Sequence, residues 1–140
     1  MADTTDNAGN PSPSAWPTDT LDRFGAADEI EISTCRSDGS LRTFVPIWIV
    51  AVDGTLYVRS YRGPDGAWYR HATDRPAGAI RTGGQQADVT CTPIDPRQRD
   101  LLTAIGDAYL TKYARYGETY LQPMLAEQAV VATLRLDPRN

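Results

Sequence analysis

The stretch LRTFVPIWIVAVDGTLYVRS, residues 41–60, decides how the chain folds. Its first part is rich in β-branched and aromatic residues, the composition that suits a pleated, half-buried surface. Pro46 places that strand at an edge or a bulge, because proline cannot donate to a β-ladder. Asp53-Gly54 then predicts a hairpin, since both residues tolerate the positive φ that a two-residue turn requires. TLYVRS returns as the partner strand.

The same grammar extends in both directions. Upstream, EIEISTCR alternates with Ile30, Ile32 and Thr34 on one face and Glu31, Ser33 and Cys35 on the other, and Asp38-Gly39 turns it into the stretch quoted above. Downstream, GAIR and QADVTCTP flank Thr82-Gly83-Gly84-Gln85, and AVVATLRLD supplies a last strand. Asp95-Pro96 predicts a helix start, the stripe Leu102, Ile105, Tyr109, Tyr113 and Tyr116 recurs at helical spacing, and Gly117 is placed to stop the helix. AWYRHA, ended before Pro76, reads as a short helical turn. The expected fold is mainly β: a six-stranded antiparallel barrel with one packed helix and one helical turn.

Length and composition fix the frame. The chain has 140 residues, 41% apolar and 23% charged, which fits one domain. MADTTDNAGNPSPSAWPTD lacks a basic start and an apolar run, so residues 1–19 read as a disordered tail and residues 20–140 as the folded domain. The expected location is the cytoplasm. Cys35 and Cys91 have no histidine near them in sequence, so no metal spacing exists, and they read as free thiols or as one bridge. A net charge of −4 argues against nucleic-acid binding, and no apolar run is long enough to span a membrane.

Within that acidic chain the residues from Arg59 to Arg81 hold five arginines against two aspartates. SYRGPDGAWYRHATDRP, residues 60–76, adds Tyr61, Trp68, Tyr69 and His71, the single histidine. Arginine forks and glycine-freed backbone amides suit a phosphate, and the rings suit a planar heteroaromatic group. Each residue also has a bland reading: arginines solvated or paired with Asp65 and Asp74, Trp68 as a core plug, His71 as a surface residue, and the tyrosine stripe as core. By period-two counting Arg42, Phe44, Pro46 and Trp48 share a face that borders the same cleft. No dinucleotide fingerprint, P-loop, zinc-protease or nucleophile-elbow pattern occurs.

The order of the VPIWIV strand, the DGTLYVRS strand, a basic glycine-containing loop running into AWYRHA, then GAIRTGG and ATLRLDPR resembles the flavin-binding split β-barrel superfamily, also called pyridoxamine-phosphate-oxidase-like. Within it the sequence is similar to an uncharacterised bacterial family related to the deazaflavin-dependent nitroreductases, over residues 20–139. The resemblance implies a homodimer that binds FMN or deazaflavin near the subunit interface. It places Arg59, Ser60, Arg62, Gly63, Trp68, Tyr69 and Arg70 on the cofactor loop, and Arg42, Thr43 and Pro46 on the strand beside the ring. Deazaflavin relatives tend to carry Ser-Lys-Gly-Gly in this loop and an asparagine at the place of His71; this chain reads Ser60-Tyr61-Arg62-Gly63.

The function this implies is hydride transfer to or from a small aromatic or quinone-like substrate. Arg62 and Arg70 are the phosphate candidates, Trp48 and Trp68 the ring contacts, and Tyr61 or His71 the proton donor. Two alternatives stay open: a cofactor-free barrel that binds an anionic small molecule, and an acid-base isomerase or cyclase that uses His71.

Overall fold

The computed structural model describes residues 15–139. Of the tail expected over residues 1–19, positions 1–14 lie outside the described residues. Beyond them Trp16 is buried, its Nε1 donates to the Leu136 carbonyl at 2.9 Å, and helix α1 (Thr18–Ala26) follows at once. Folded structure therefore begins upstream of Thr20. A large indole that fills the core and satisfies its one donor holds the segment in place.

Seven strands build one antiparallel sheet: β1 (Ile30–Thr34), β2 (Val45–Ile47), β3 (Val50–Val52), β4 (Thr55–Arg59), β5 (Ala77–Thr82), β6 (Gln85–Pro93) and β7 (Thr133–Pro138), in the order β2-β1-β5-β6-β7-β4-β3. The single long strand expected over residues 41–52 is two. β2 and β3 are the opposite edges of the sheet, yet only Trp48 and Ile49 separate them in sequence. Three peptide steps span at most about 11 Å, so the sheet has to curl until its edges nearly meet. That is the barrel, and the break at Trp48 is its seam.

The turns follow the sequence. Asp53 and Gly54 both have positive φ, 49° and 79°, and Gly83 and Gly84 have 53° and 82°. At Asp38-Gly39 only Gly39 turns positive, because the Asp38 carboxylate instead accepts from the Ser40 amide and hydroxyl.

Inside the curl lie Phe24, Ile30, Ile32, Leu56, Val58, Ile80, Val89, Leu134 and Leu136, all essentially without solvent contact. A second core joins the outer face of β3 and β4 to α3 (Arg99–Tyr113) and α4 (Glu118–Leu125) through Val50, Tyr57, Leu102, Ile105, Tyr109, Tyr113, Leu121 and Met124. The expected helix start moves from Asp95-Pro96 to Arg99: Asp95 spends its carboxylate on the Arg97 amide and guanidinium, which makes a turn ahead of the helix. Gly117, at φ 86°, stops one helix and begins another. Helices α1, α4 and α5 (Glu127–Val130) are additions to the one helix and helical turn expected; the turn itself is α2 (Ala67–Asp74). Both cysteines are free, and burial pushes the Cys91 thiol up to about 12. No helix among the described residues is long and apolar enough to cross a membrane.

Candidate functional site

A cleft of about 870 Å³ opens beside the barrel seam. One wall is the β2 edge and the seam residue, Val45, Pro46, Ile47 and Trp48; the floor and second wall are the end of β4 and the loop into α2, with Ser60, Tyr61, Arg62, Trp68 and Arg70; α4 closes the far side through Thr119, Tyr120, Pro123 and Met124. Trp48 is held flat by stacking on Tyr113, centroids 4.0 Å apart and planes within 2°. Tyr113 is pinned in turn, its hydroxyl accepting from the Ile49 amide at 3.1 Å and facing the Asp28 carbonyl at 2.8 Å.

The loop after β4 is shaped around Ser60. Its amide donates to Ala132, its carbonyl accepts from Gly63, and the residue is 2% exposed, yet its hydroxyl has no hydrogen-bond partner among the described residues and borders the cleft. Gly66 precedes α2 as its N-cap with no side-chain cap, which leaves the first-turn amides of Ala67, Trp68 and Tyr69 without intrahelical partners. A β-carbon on Gly66 would press the Ser60 Oγ to inside 3.0 Å, a separation real Cβ atoms essentially never show. A cleft-lining hydroxyl with no partner among the described residues, a helix start with no side-chain cap and two arginines line this part of the cleft, a donor set suited to an anion.

The arginines differ from one another. Arg62 donates from Nε to the Tyr61 hydroxyl at 3.1 Å and otherwise faces solvent and cleft; Arg70 is exposed with no protein partner among the described residues. Arg59, expected in the cofactor-binding segment, reaches the cleft lining but gives its guanidinium to the scaffold. It is 2% exposed, and its guanidinium donates to Thr133 Oγ1 at 3.0 Å, to the Met124 carbonyl at 3.1 Å and to the Leu102 carbonyl at 2.9 Å, above the Tyr109 ring. Burial lowers its pKa and the neighbouring Tyr109 opposes that shift. Arg59 ties α3 and α4 to the sheet, with no carboxylate paired to its charge among the described residues. Arg81 pairs with Glu31 at 2.8 Å, covers the Phe44 ring and is not among the residues lining the cleft.

Of the other expected site residues, Pro46, Trp48, Ser60, Tyr61, Arg62, Trp68 and Arg70 come together, and five do not. Arg42 and Thr43 lie off the cleft, because the Arg42 amide donates to Thr34 and its carbonyl accepts from Ser33, which fastens that segment along β1; shared parity with Trp48 is lost where the strand breaks. Gly63, at φ 74°, packs against the Gln128 backbone of α5. Tyr69 turns into the barrel core. His71 sits half-buried on α2 and is not itself among the residues that line the cleft. Sequence reading missed Glu29 and Asp65, the carboxylates of the cleft, and the whole α4 wall, whose residues are about sixty positions from the loop they face.

The family described as "Uncharacterized protein conserved in bacteria (DUF2255)" matches residues 20–136. The chain belongs to the DUF2255 family. No curated protein sequence matches this DUF2255 chain. Solved structures do resemble it: F420-H2 dependent reductase FDR-A, at 16% identity and TM-score 0.56 over 79% of this chain and 94% of that one; a FAD-binding protein from Mesorhizobium loti, at 16% and 0.54 over 89% and 91%; and the heme storage protein HutZ from Vibrio cholerae, at 11% and 0.59 over 90% and 92%. At such identities the likeness carries the fold alone, the split barrel that this DUF2255 chain shares with those three proteins.

Proposed function

We propose that this protein is a flavin- or deazaflavin-dependent oxidoreductase that transfers hydride to or from a small aromatic or quinone-like substrate. The observation that carries the reading is the anion cradle at the start of α2. Ser60 lines the cleft with a hydroxyl that has no hydrogen-bond partner among the described residues, the amides of Ala67 and Trp68 have no side-chain cap, and Arg70 at the same rim has no ion-pair partner among those residues. Beside it the apolar wall of Val45, Pro46, Ile47, Trp48 and Met124 offers a flat, partly dry surface suited to a planar ring. Structural neighbours named for a deazaflavin and for FAD support a flavin-type occupant; the heme protein among them leaves the group itself to be tested.

When bound, the cofactor supplies the hydride chemistry. This chain's residues bind and orient. Ser60, the α2 amides, Arg62 and Arg70 hold the phosphate, Trp48 and Trp68 set the ring plane, and Met124 and Pro123 keep water from the reacting face. Tyr61 is the proton donor: Arg62 donates to its oxygen, which leaves the phenolic hydrogen directed elsewhere, and it lines the cleft whereas His71 does not. The protein works as a homodimer in this reading. The open rim, where Tyr61 and Tyr120 are 51% and 66% exposed, is the side a second copy would cover.

Titration with FMN and separately with the deazaflavin, followed by visible absorbance, tests the proposal. A saturable spectral shift is expected with one of them. Arg70→Ala should weaken that binding about tenfold, the worth of one charge-assisted hydrogen bond of ~1.5 kcal/mol. No shift with either cofactor refutes the redox reading, and inorganic phosphate protecting the fold in their place selects the cofactor-free anion binder.

A further inference from the structure

Lys112, the only lysine of the chain, stands outside the cleft described above. It lies on the last turn of α3, half-buried, and lines a separate shallow groove of about 560 Å³ with Gly25, Val50, Ala51, Ala104 and Ala108. Its Nζ donates to the Ile49 carbonyl at 2.7 Å and sits 5.0 Å from the Tyr113 ring. No carboxylate lies within ion-pair distance of it among the described residues. Asp53 and Asp107 border the groove, and Asp28, the acid behind it, is engaged by Arg115. Burial holds the amine down at about 8, with Asp28 opposing that shift and Arg115 adding to it.

We propose that Lys112 is an acyl-acceptor site, modified by activated acyl donors of the acyl phosphate or acyl thioester class. A neutral amine can give one hydrogen to the Ile49 carbonyl and still present its lone pair to the groove, so position and nucleophilicity coexist. The neutral Nζ attacks the acyl carbon and an N–C bond forms. The C–O or C–S bond breaks, phosphate or thiolate leaves with the electron pair, and the extra proton on nitrogen passes to water. Nothing is oxidised or reduced. The amide keeps one N–H, so the bond to Ile49 survives acylation, whereas a neutral imine from an aldehyde would have none. The small apolar side chains of the groove leave room for a short acyl group.

The test uses the full chain with acetyl phosphate in one arm and a neutral acetyl thioester in the other, with Lys112 acetylation read by peptide mass mapping. The same chain unfolded in guanidinium chloride is the reference. At pH 8 a drop of the amine from 10.5 to about 8 raises its neutral fraction ~150-fold. After allowance for lower basicity, folded protein should label at least about tenfold faster than unfolded, with a rate that levels off above pH 8. Faster labelling by only one donor supports the site and names its source. Labelling no faster in the folded chain with either donor, or a rate still climbing through pH 10, overturns the proposal.

Discussion

Gly66→Ala should destabilise the protein, and Ser60→Ala should undo the damage. At φ −61° and ψ 136° the backbone of Gly66 suits alanine, so no conformational strain enters. The cost is steric and has one main source: the new methyl meets Ser60 Oγ inside van der Waals contact, while its next neighbours, the Gly63 carbonyl at 3.4 Å and Ser60 Cβ at 3.5 Å, are at ordinary distances. Overpacking of this kind costs about 1–3 kcal/mol. Ser60→Ala alone removes a hydroxyl with no partner, so its own effect should stay within about 0.5 kcal/mol. The double variant should return close to wild type, a coupling of about −1 to −3 kcal/mol in a double-mutant cycle. Urea unfolding midpoints at constant slope measure it. Additive effects would mean that Ser60 Oγ swings freely into the cleft instead of being packed against Gly66. The placement of that hydroxyl, and the cradle built on it, would then be wrong.

Two other outcomes follow from buried cations. Arg59→Leu takes the guanidinium donor from the Leu102 and Met124 carbonyls and should cost about 2–4 kcal/mol in urea unfolding; a loss below ~1 kcal/mol would deny that this guanidinium joins the helices to the sheet. For Lys112 the folded pKa lies below its unfolded value, so between about pH 8 and 10.5 the unfolded chain binds more protons and stability rises with pH, by no more than ~1.4 kcal/mol per unit. Lys112→Met should flatten that slope, and an unchanged slope would refute the assignment.

The sequence exposes what is local. Asp53-Gly54 and Gly83-Gly84 punctuate hairpins because positive φ is a property of two residues, and AWYRHA before Pro76 carries its own helix limits. The break of residues 41–52 into β2 and β3 is not local. It comes from closure of a seven-strand sheet, which no pattern within that stretch encodes; Arg42 and Thr43 leave the cleft for another non-local reason, the bonds that fasten the Arg42 backbone along β1. Likewise Gly117 reads as a stop, and only the Leu121 and Met124 contacts to the second core reveal that a further helix follows.

Composition does not distinguish Arg59, which is buried, from the arginines left free, and the reason is parity. Thr55, Tyr57 and Arg59 alternate on the outer face of β4, the face that α3 and α4 cover, so Arg59 had to be buried once those helices packed there. Arg62 and Arg70, past the end of the strand, escape the alternation and stay free to meet a ligand. Composition counts these side chains alike. The position of each relative to the last residue of β4 separates the one that holds the scaffold together from the two proposed to hold an anion.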